Sequence, residues 1–301
     1  MSQFGVYDAI LGSGLTLRQV VDGGWTTTIE ESIALHSGGI DPQQIYQGDA
    51  EQVATFQTAD LVGVLGGIDP ASGLLVSTGI TVPFRKKASG ATFAGDDSHF
   101  ASAVSNGLVI CSEISASKEQ ESGDSPGAIA TVQAHAISSS GADPITASTG
   151  NSLASQTFNG QFVMGPVLID STAVTDVLSV SVSTGITLDK WRASKGDYPT
   201  RIYIASRRPV ISIELEDIDS FASSGGFSLG AFAISSGVDA YFKKRADAGG
   251  YASGSVNGKA SIGAGVGFAE QINGGTTGHA SGRIRLVGKA MTWSVTNALP
   301  S

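Results

Sequence analysis

The chain has 301 residues, a net charge of −9, only 15% charged residues, 40 glycines and a single cysteine. This composition excludes an internal disulfide and a cysteine-based zinc site, and it disfavours a helical fold and tight sequence-specific DNA binding. A hydrophobic content of 41% is enough for a packed core, so general disorder is excluded as well.

The first residues, MSQFGVYDAILGSG, have neither a cationic start nor a long apolar core. They do not read as a signal peptide, and no stretch approaches the roughly 20 apolar residues of a membrane span. The expectation is a protein made and folded in a cytosol. Trp25–Ile29 reads as a strand because β-branched and aromatic side chains suit a pleated surface. Residues 37–54, with the Asp41-Pro42 turn, read as a loop. A helix is expected from Thr58, with Thr58 as cap, Asp60 in the first turn and Gly66-Gly67 as the stop. Strands follow at 73–82, 107–115 and 127–138, with a second short helix at 98–105 and a charged loop at 117–126. Residues 139–160 are a Ser/Gly/Asn-rich connector. Further strands are expected at 161–169, 179–188, 201–205, 209–216 and 226–235. Within them Ile211, Ile213 and Leu215 alternate with Val210, Ser212, Glu214 and Glu216, as in a half-buried strand.

Residues 239–279 look like a linker by composition but not by periodicity. Val256, Ala260, Ile262, Ala264, Val266 and Phe268 share one parity, and Ser, Asn, Lys and Gly take the other. The pattern predicts a long Gly-rich β arm. An isolated strand pair is barely stable, and ten glycines raise the ordering cost. Val256, Ile262, Val266 and Phe268 are therefore expected to be buried on another subunit. Strands at 283–287 and 291–295 close the chain.

Three matches occur in the same order in the two halves. VSTGIT at 76–81 recurs at 182–187, ICSEI at 110–114 aligns with ISIEL at 211–215, and AISS at 136–139 recurs at 233–236. The shift falls from 106 through 101 to 97, as expected of a duplicated module with small deletions. The fold class read from this is mainly β. Two tandem β-sandwich or rolled-sheet modules, 1–150 and 151–301, each carry about one short helix, and the arm at 239–279 is added to the second. Each module is expected to hold its own small core. Residues 1–150 carry 5 Lys+Arg against 16 Asp+Glu, whereas 151–301 carry 13 against 11. That asymmetry suits an acidic first module meeting a more basic second module of a neighbour.

No catalytic, cofactor or metal site is assigned. His36, His99, His135 and His279 lack metal-ligand spacing, and His135 reads as a satisfied structural histidine. Asp96–His99 reads as a turn that caps the following helix rather than a cation or catalytic site. Glu214, Glu216, Asp217 and Asp219 either bind a cation such as Ca²⁺ or form a solvated or interface-facing strand, and the second reading is preferred. Cys111 lies in an apolar run and reads as a buried thiol. Gly263, Gly265 and Gly267 lack the strand–loop–helix context of a dinucleotide loop, and Gly254–Ala260 is too short for a phosphate loop. The basic groups Arg85–Lys87, Arg207-Arg208 and Lys243–Arg245 lack interleaved aromatics and read as salt-bridging or solvated faces.

FQTADLVGVL at 56–65, the strand LLVSTGIT after it, and the late RIRLVGKAMTWSV at 283–295 resemble the major tail, or tail-tube, proteins of long-tailed bacteriophages. The resemblance covers about a third of the chain. It implies a β-sandwich or rolled sheet flanked by a helix, in a protein without cofactor or enzymatic activity. It further implies stacked rings around a lumen that passes genomic DNA, contacts with other tail proteins, and residence in the virion tail after synthesis in the host cytoplasm. Two modules per chain would let homotrimeric rings stand in for hexameric ones. The alternatives are a capsid decoration protein, another β-rich virion protein, or a carbohydrate-binding β-sandwich.

Overall fold

Short runs of β-branched and small residues, punctuated by glycine, give strands along nearly the whole chain. The computed structural model describes residues 3–12, 14–35, 42–87, 99–121, 126–153, 158–194, 196–217, 230–246, 249–273 and 281–300. The first half opens with β1 (Gln3–Val6), β2 (Ala9–Leu11) and β3 (Leu15–Leu17). A long hairpin follows, β4 (Val20–Leu35) and β5 (Pro42–Thr58), and then the helix α1 (Leu61–Gly67). Next come β6 (Leu74–Val76), β7 (Ile80–Lys87), β8 (His99–Val104), β9 (Asn106–Ser117), β10 (Ile129–Ile137) and β11 (Thr146–Asn151). The second half begins with β12 (Phe162–Ile169), β13 (Thr172–Val174), β14 (Val177–Ser183), β15 (Ile186–Trp191), β16 (Arg201–Arg207) and β17 (Val210–Leu215). It ends with β18 (Ala231–Ile234), β19 (Val238–Lys244), β20 (Asn257–Ile262), β21 (Gly265–Asn273), β22 (Ser281–Gly288) and β23 (Met291–Asn297).

The fold is mainly β and all its named ladders are antiparallel. The central sheet runs β18-β21-β22-β17-β14-β9-β10-β5-β4. β9 organises it: β10 takes one edge, while β6 (at 107–109) and β14 (at 113–117) share the other end to end. A five-stranded sheet, β13-β12-β19-β20-β23, and a sheet of β11-β8-β7-β2-β3 with β1 also on β7 supply further layers. One core joins them. Phe56 from the first half and Phe162 and Phe242 from the second are all within 1% of complete burial in a single apolar cluster. The separate core expected for each half is thus one continuous core.

α1 is the only α-helix among the described residues. Asp60, rather than Thr58, caps it: Gly63 N–H donates to Oδ1 at 3.0 Å, and the Thr58 hydroxyl accepts from Asp60 N–H. Leu61, Val64 and Leu65 face the core, and Trp293 Nε1 donates to Ile68 O at 2.8 Å, which ties the helix end to β23. The second helix expected at 98–105 is instead β8. Its alanines and serines sit between β7 and β11, where ladder pairing on both edges overrides helix propensity. The loop expected at 37–54 is, from Pro42 on, β5; residues 36–41 lie outside the described residues. The connector at 139–160 contains β11.

Both copies of VSTGIT are strand–turn–strand, ending β6 and starting β7, then ending β14 and starting β15. β6 pairs β9 while β7 pairs β8, and β14 pairs β17 while β15 pairs β16. The ladders set Val76 opposite Gly107 and Val182 opposite Ile211, so β17 follows β9 at a shift of 104, not 101. The AISS pair does not share sheet positions, because β10 adjoins β9 whereas β22 adjoins β17. The two turns also differ in room. A Cβ on Gly185 (φ +57) would lie 2.0 Å from the Arg208 carbonyl oxygen, whereas one on Gly79 (φ +99) meets nothing closer than 3.6 Å. Gly185→Ala is expected to cost more than the roughly 1–3 kcal/mol of dihedral strain that Gly79→Ala carries. Urea denaturation of the two variants checks the order; equal midpoints would contradict it.

The Gly-rich stretch is β, as its alternation predicts, but it pairs within the chain. β20 lies between β19 and β23, and β21 between β18 and β22. Ile262 is buried in this chain's own core, Val256 and Phe268 are half-buried, and Val266 is 41% exposed. Pairing within the chain therefore already orders the stretch. Its glycines allow tight internal packing: a Cβ on Gly265 would lie 1.9 Å from Val287 O, and one on Gly267 2.1 Å from the Phe232 ring. Residues 247–248 and 274–279 of the stretch lie outside the described residues.

Candidate interaction surface

β4 and β5 are 16 and 17 residues long, which at about 3.3 Å per residue spans roughly 50 Å. β10 accompanies β5 only from Val53 to Thr58. Beyond that, Ala50 N–H donates to Asp197 O at 2.9 Å, so the β15–β16 loop takes over the edge for a short distance. The distal half of the hairpin then continues with both faces open. Ile29, Ile33, Ile45 and Tyr46 are 47%, 55%, 64% and 51% exposed, and Ile33 and Ile45 sit directly opposite each other. Glu30 and Glu31 are exposed beside them. From residue 19 to residue 84 the chain has no Lys or Arg.

The hairpin's base is clamped by charge. Glu51 Oε1 lies 3.0 Å from His135 Nδ1 and 2.5 Å from Lys190 Nζ, and Asp49 pairs with Arg192 at 2.8 Å. The hydrogen bond with His135, aided by Lys190 and opposed by burial, holds the Glu51 carboxyl at about 2 against an ordinary 4.5. Lys190 and Arg192 belong to the second half and Glu51 and Asp49 to the first. Part of the charge complementarity between the halves is thus used inside one chain. Because the folded state holds this carboxyl lower than the unfolded one does, its stabilisation is complete above pH 4.5 and is lost as pH falls through about 2. Glu51→Gln is expected to be less stable than wild type at pH 7, with the gap shrinking on acidification. Urea midpoints at neutral pH and near pH 3 measure this, and a gap that does not change with pH would contradict it.

Beside the clamp, β15 and β16 form a two-stranded sheet. Its inner face, Ile186, Leu188, Ile202 and Ile204, packs on Leu108 and Ile110 of β9. Its outer face carries Trp191 (54% exposed) and Tyr203 (51%), with the Arg201 guanidinium 5.4 Å from the Trp191 ring centre. The Arg207-Arg208 group, which by sequence lacks aromatic neighbours, thus ends a hairpin that carries two exposed aromatics.

The other residues singled out by sequence fall elsewhere. His135 is the buried partner of Glu51. His99 is buried in β8, its Nδ1 accepting from Lys86 N–H at 3.1 Å. His36, His279, Asp96–Ser98 and Asp219 lie outside the described residues. Glu214 accepts from the Ser179 hydroxyl at 2.8 Å and Glu216 pairs with Lys118 at 2.9 Å, so both carboxylates have partners within the chain. No group of three or more His, Cys, Asp or Glu that could hold a metal occurs among the described residues. Burial pushes the Cys111 thiol up to about 12, so it is a structural thiol. Among the described residues no helix is long and apolar enough to cross a membrane.

The distal hairpin and the Arg–aromatic face are the candidate surfaces that sequence reasoning missed. The signals for them were the absence of cations from 19 to 84 and the isoleucines at 29, 33 and 45. No protein-family model matches the chain, and no curated protein is similar to it.

Proposed function

We propose that this chain is a structural subunit that acts by self-assembly, and that its assembly is the stacked-ring tail tube of a bacteriophage, which conducts DNA during ejection. The observation that carries the assembly reading is the distal β4–β5 hairpin. It holds four large apolar side chains about half exposed on an open strand edge, and such an edge is a template for another chain. Heterologous contacts of this kind close rings when the rotation permits. The tail-tube assignment itself rests on the sequence resemblance, which joins the helix-capped β architecture to that family, and it makes the protein a resident of the virion without enzymatic activity. An acidic first half facing the lumen would keep DNA from adhering. Negative-stain imaging of the purified full chain tests the proposal. Rings or tubes with a central lumen support it; uniform isolated trimers would favour a decoration protein instead.

A second reading has one specific observation behind it. Phe158 (65% exposed) and Tyr251 (48%) line one open cleft of about 570 Å³ with Gln161 and Arg245. Aromatic rings beside hydrogen-bonding side chains suit a carbohydrate. Glycan-array binding that is lost in Tyr251→Ala, by a chain that stays monomeric, would favour a carbohydrate-binding module.

A further inference from the structure

We infer that the acidic distal half of the β4–β5 hairpin docks, strand edge to strand edge, on β16 of a second copy of this chain. This rests on the assembly reading above and adds which surfaces meet. Two edges are open. Among the described residues β4 has one ladder partner, β5, and β16 has one, β15. The backbone N–H and C=O groups on their outer sides are thus available to a second chain, and seven residues of β16 match the length of the exposed part of β4.

Charge selects which edges meet. Outside the intrachain pairs Glu51–Lys190 and Asp49–Arg192, residues 20–58 carry four Asp or Glu and no Lys or Arg, whereas 186–208 carry four Lys or Arg and two Asp. Two β4 edges would set Glu30 and Glu31 against the same residues of the partner, and two β16 edges would set arginine against arginine. Only the unlike pair is attractive. Side-chain chemistry agrees. Trp191, Tyr203 and Arg201 are the residue types that dominate binding energy at protein interfaces, and Ile29 and Ile33 supply the apolar surface for them to cover. A nucleic acid is a poorer occupant of β16, because Asp189 sits opposite Tyr203 in the ladder.

The test is a charge exchange in the full chain. Glu30→Lys/Glu31→Lys and Arg201→Glu/Arg208→Glu are each expected to weaken self-association at least about tenfold in sedimentation velocity. All four side chains are exposed, so circular dichroism should be unchanged. Mixed one to one, the two variants are expected to recover association that neither shows alone, since a contact between the two exchanged surfaces again joins unlike charges. Wild-type assembly by either variant alone, or failure of the mixture to recover, would overturn the inference. So would loss of oligonucleotide binding in Arg201→Glu/Arg208→Glu with assembly intact, which would make β16 a nucleic-acid surface. Wild-type tubes that ignore both exchanges would remove this inference and leave the tail-tube reading standing. Wild-type oligomers without a lumen that respond to the exchanges would do the reverse. A chain that stays monomeric at every concentration would remove both.

Discussion

Replacing Ile29, Ile33, Ile45 and Tyr46 together by serine or threonine is expected to leave the chain folded and to abolish its self-association. Each of these side chains is about half exposed in the single chain. Burying the rest of a large apolar side chain returns roughly half of the 1.5–3 kcal/mol that full burial gives, so four together contribute on the order of 3–6 kcal/mol to association. That corresponds to about a hundredfold to ten-thousandfold in Kd. Little is lost inside the chain, because none of the four belongs to the apolar core. The thermal midpoint of the dilute protein should therefore stay near that of wild type. Sedimentation across a concentration series, run beside a melt, separates the two effects. Unaltered association would remove the hairpin from the interface, and a collapsed midpoint would mean that it is a folding element.

The second large effect concerns the core. Phe242→Ala is expected to destabilise both halves of the chain together, by about 3–5 kcal/mol. Phe242 lies on β19, in the second half, yet it shares one buried cluster with Phe56 and with Val132 and Ala134 of β10. The backbone crosses the midpoint too. β14 extends the sheet from β9, and Ala128 N–H donates to Phe162 O at 2.7 Å. A cavity under β19 should therefore raise amide exchange in β9 and β10 as much as in β20. Exchange that rises only after residue 150 would show two independent units. The same continuity predicts that neither half folds when expressed alone.

Much of this fold was legible because burial and periodicity coincide. β9, β10, β12 and β17 carry near-continuous or alternating apolar residues, and the helix is announced by Thr58 and Asp60 ahead of LVGVL. β5 was not legible. From Pro42 to Gly48 the exposed Ile45 and Tyr46 fall on opposite faces among glutamines, so no period of two survives. β8 was misread because HFASAV is rich in small residues with no strong strand preference, and its pairing with β7 and β11 is set by residues far away in sequence. The ten glycines of 239–279 read as an ordering cost that another chain would offset, yet those at 265 and 267 serve close contacts with Val287 and Phe232 of this one. The interaction surface was the least legible part. Exposure of an isoleucine at 33 or 45 is a property of the fold, and the stacking of Arg201 on Trp191 needs a ladder that joins residues ten apart. The lack of cations before Arg85 was visible, but the surface opposite it was not.

The mass of the assembled particle bears most directly on whether this chain is a ring-forming subunit. Native mass spectrometry or sedimentation equilibrium of the full chain at rising concentration should give closed species of three or six times the 30.5 kDa chain mass, followed by their stacked multiples. A mass of one chain at every concentration reached would contradict it.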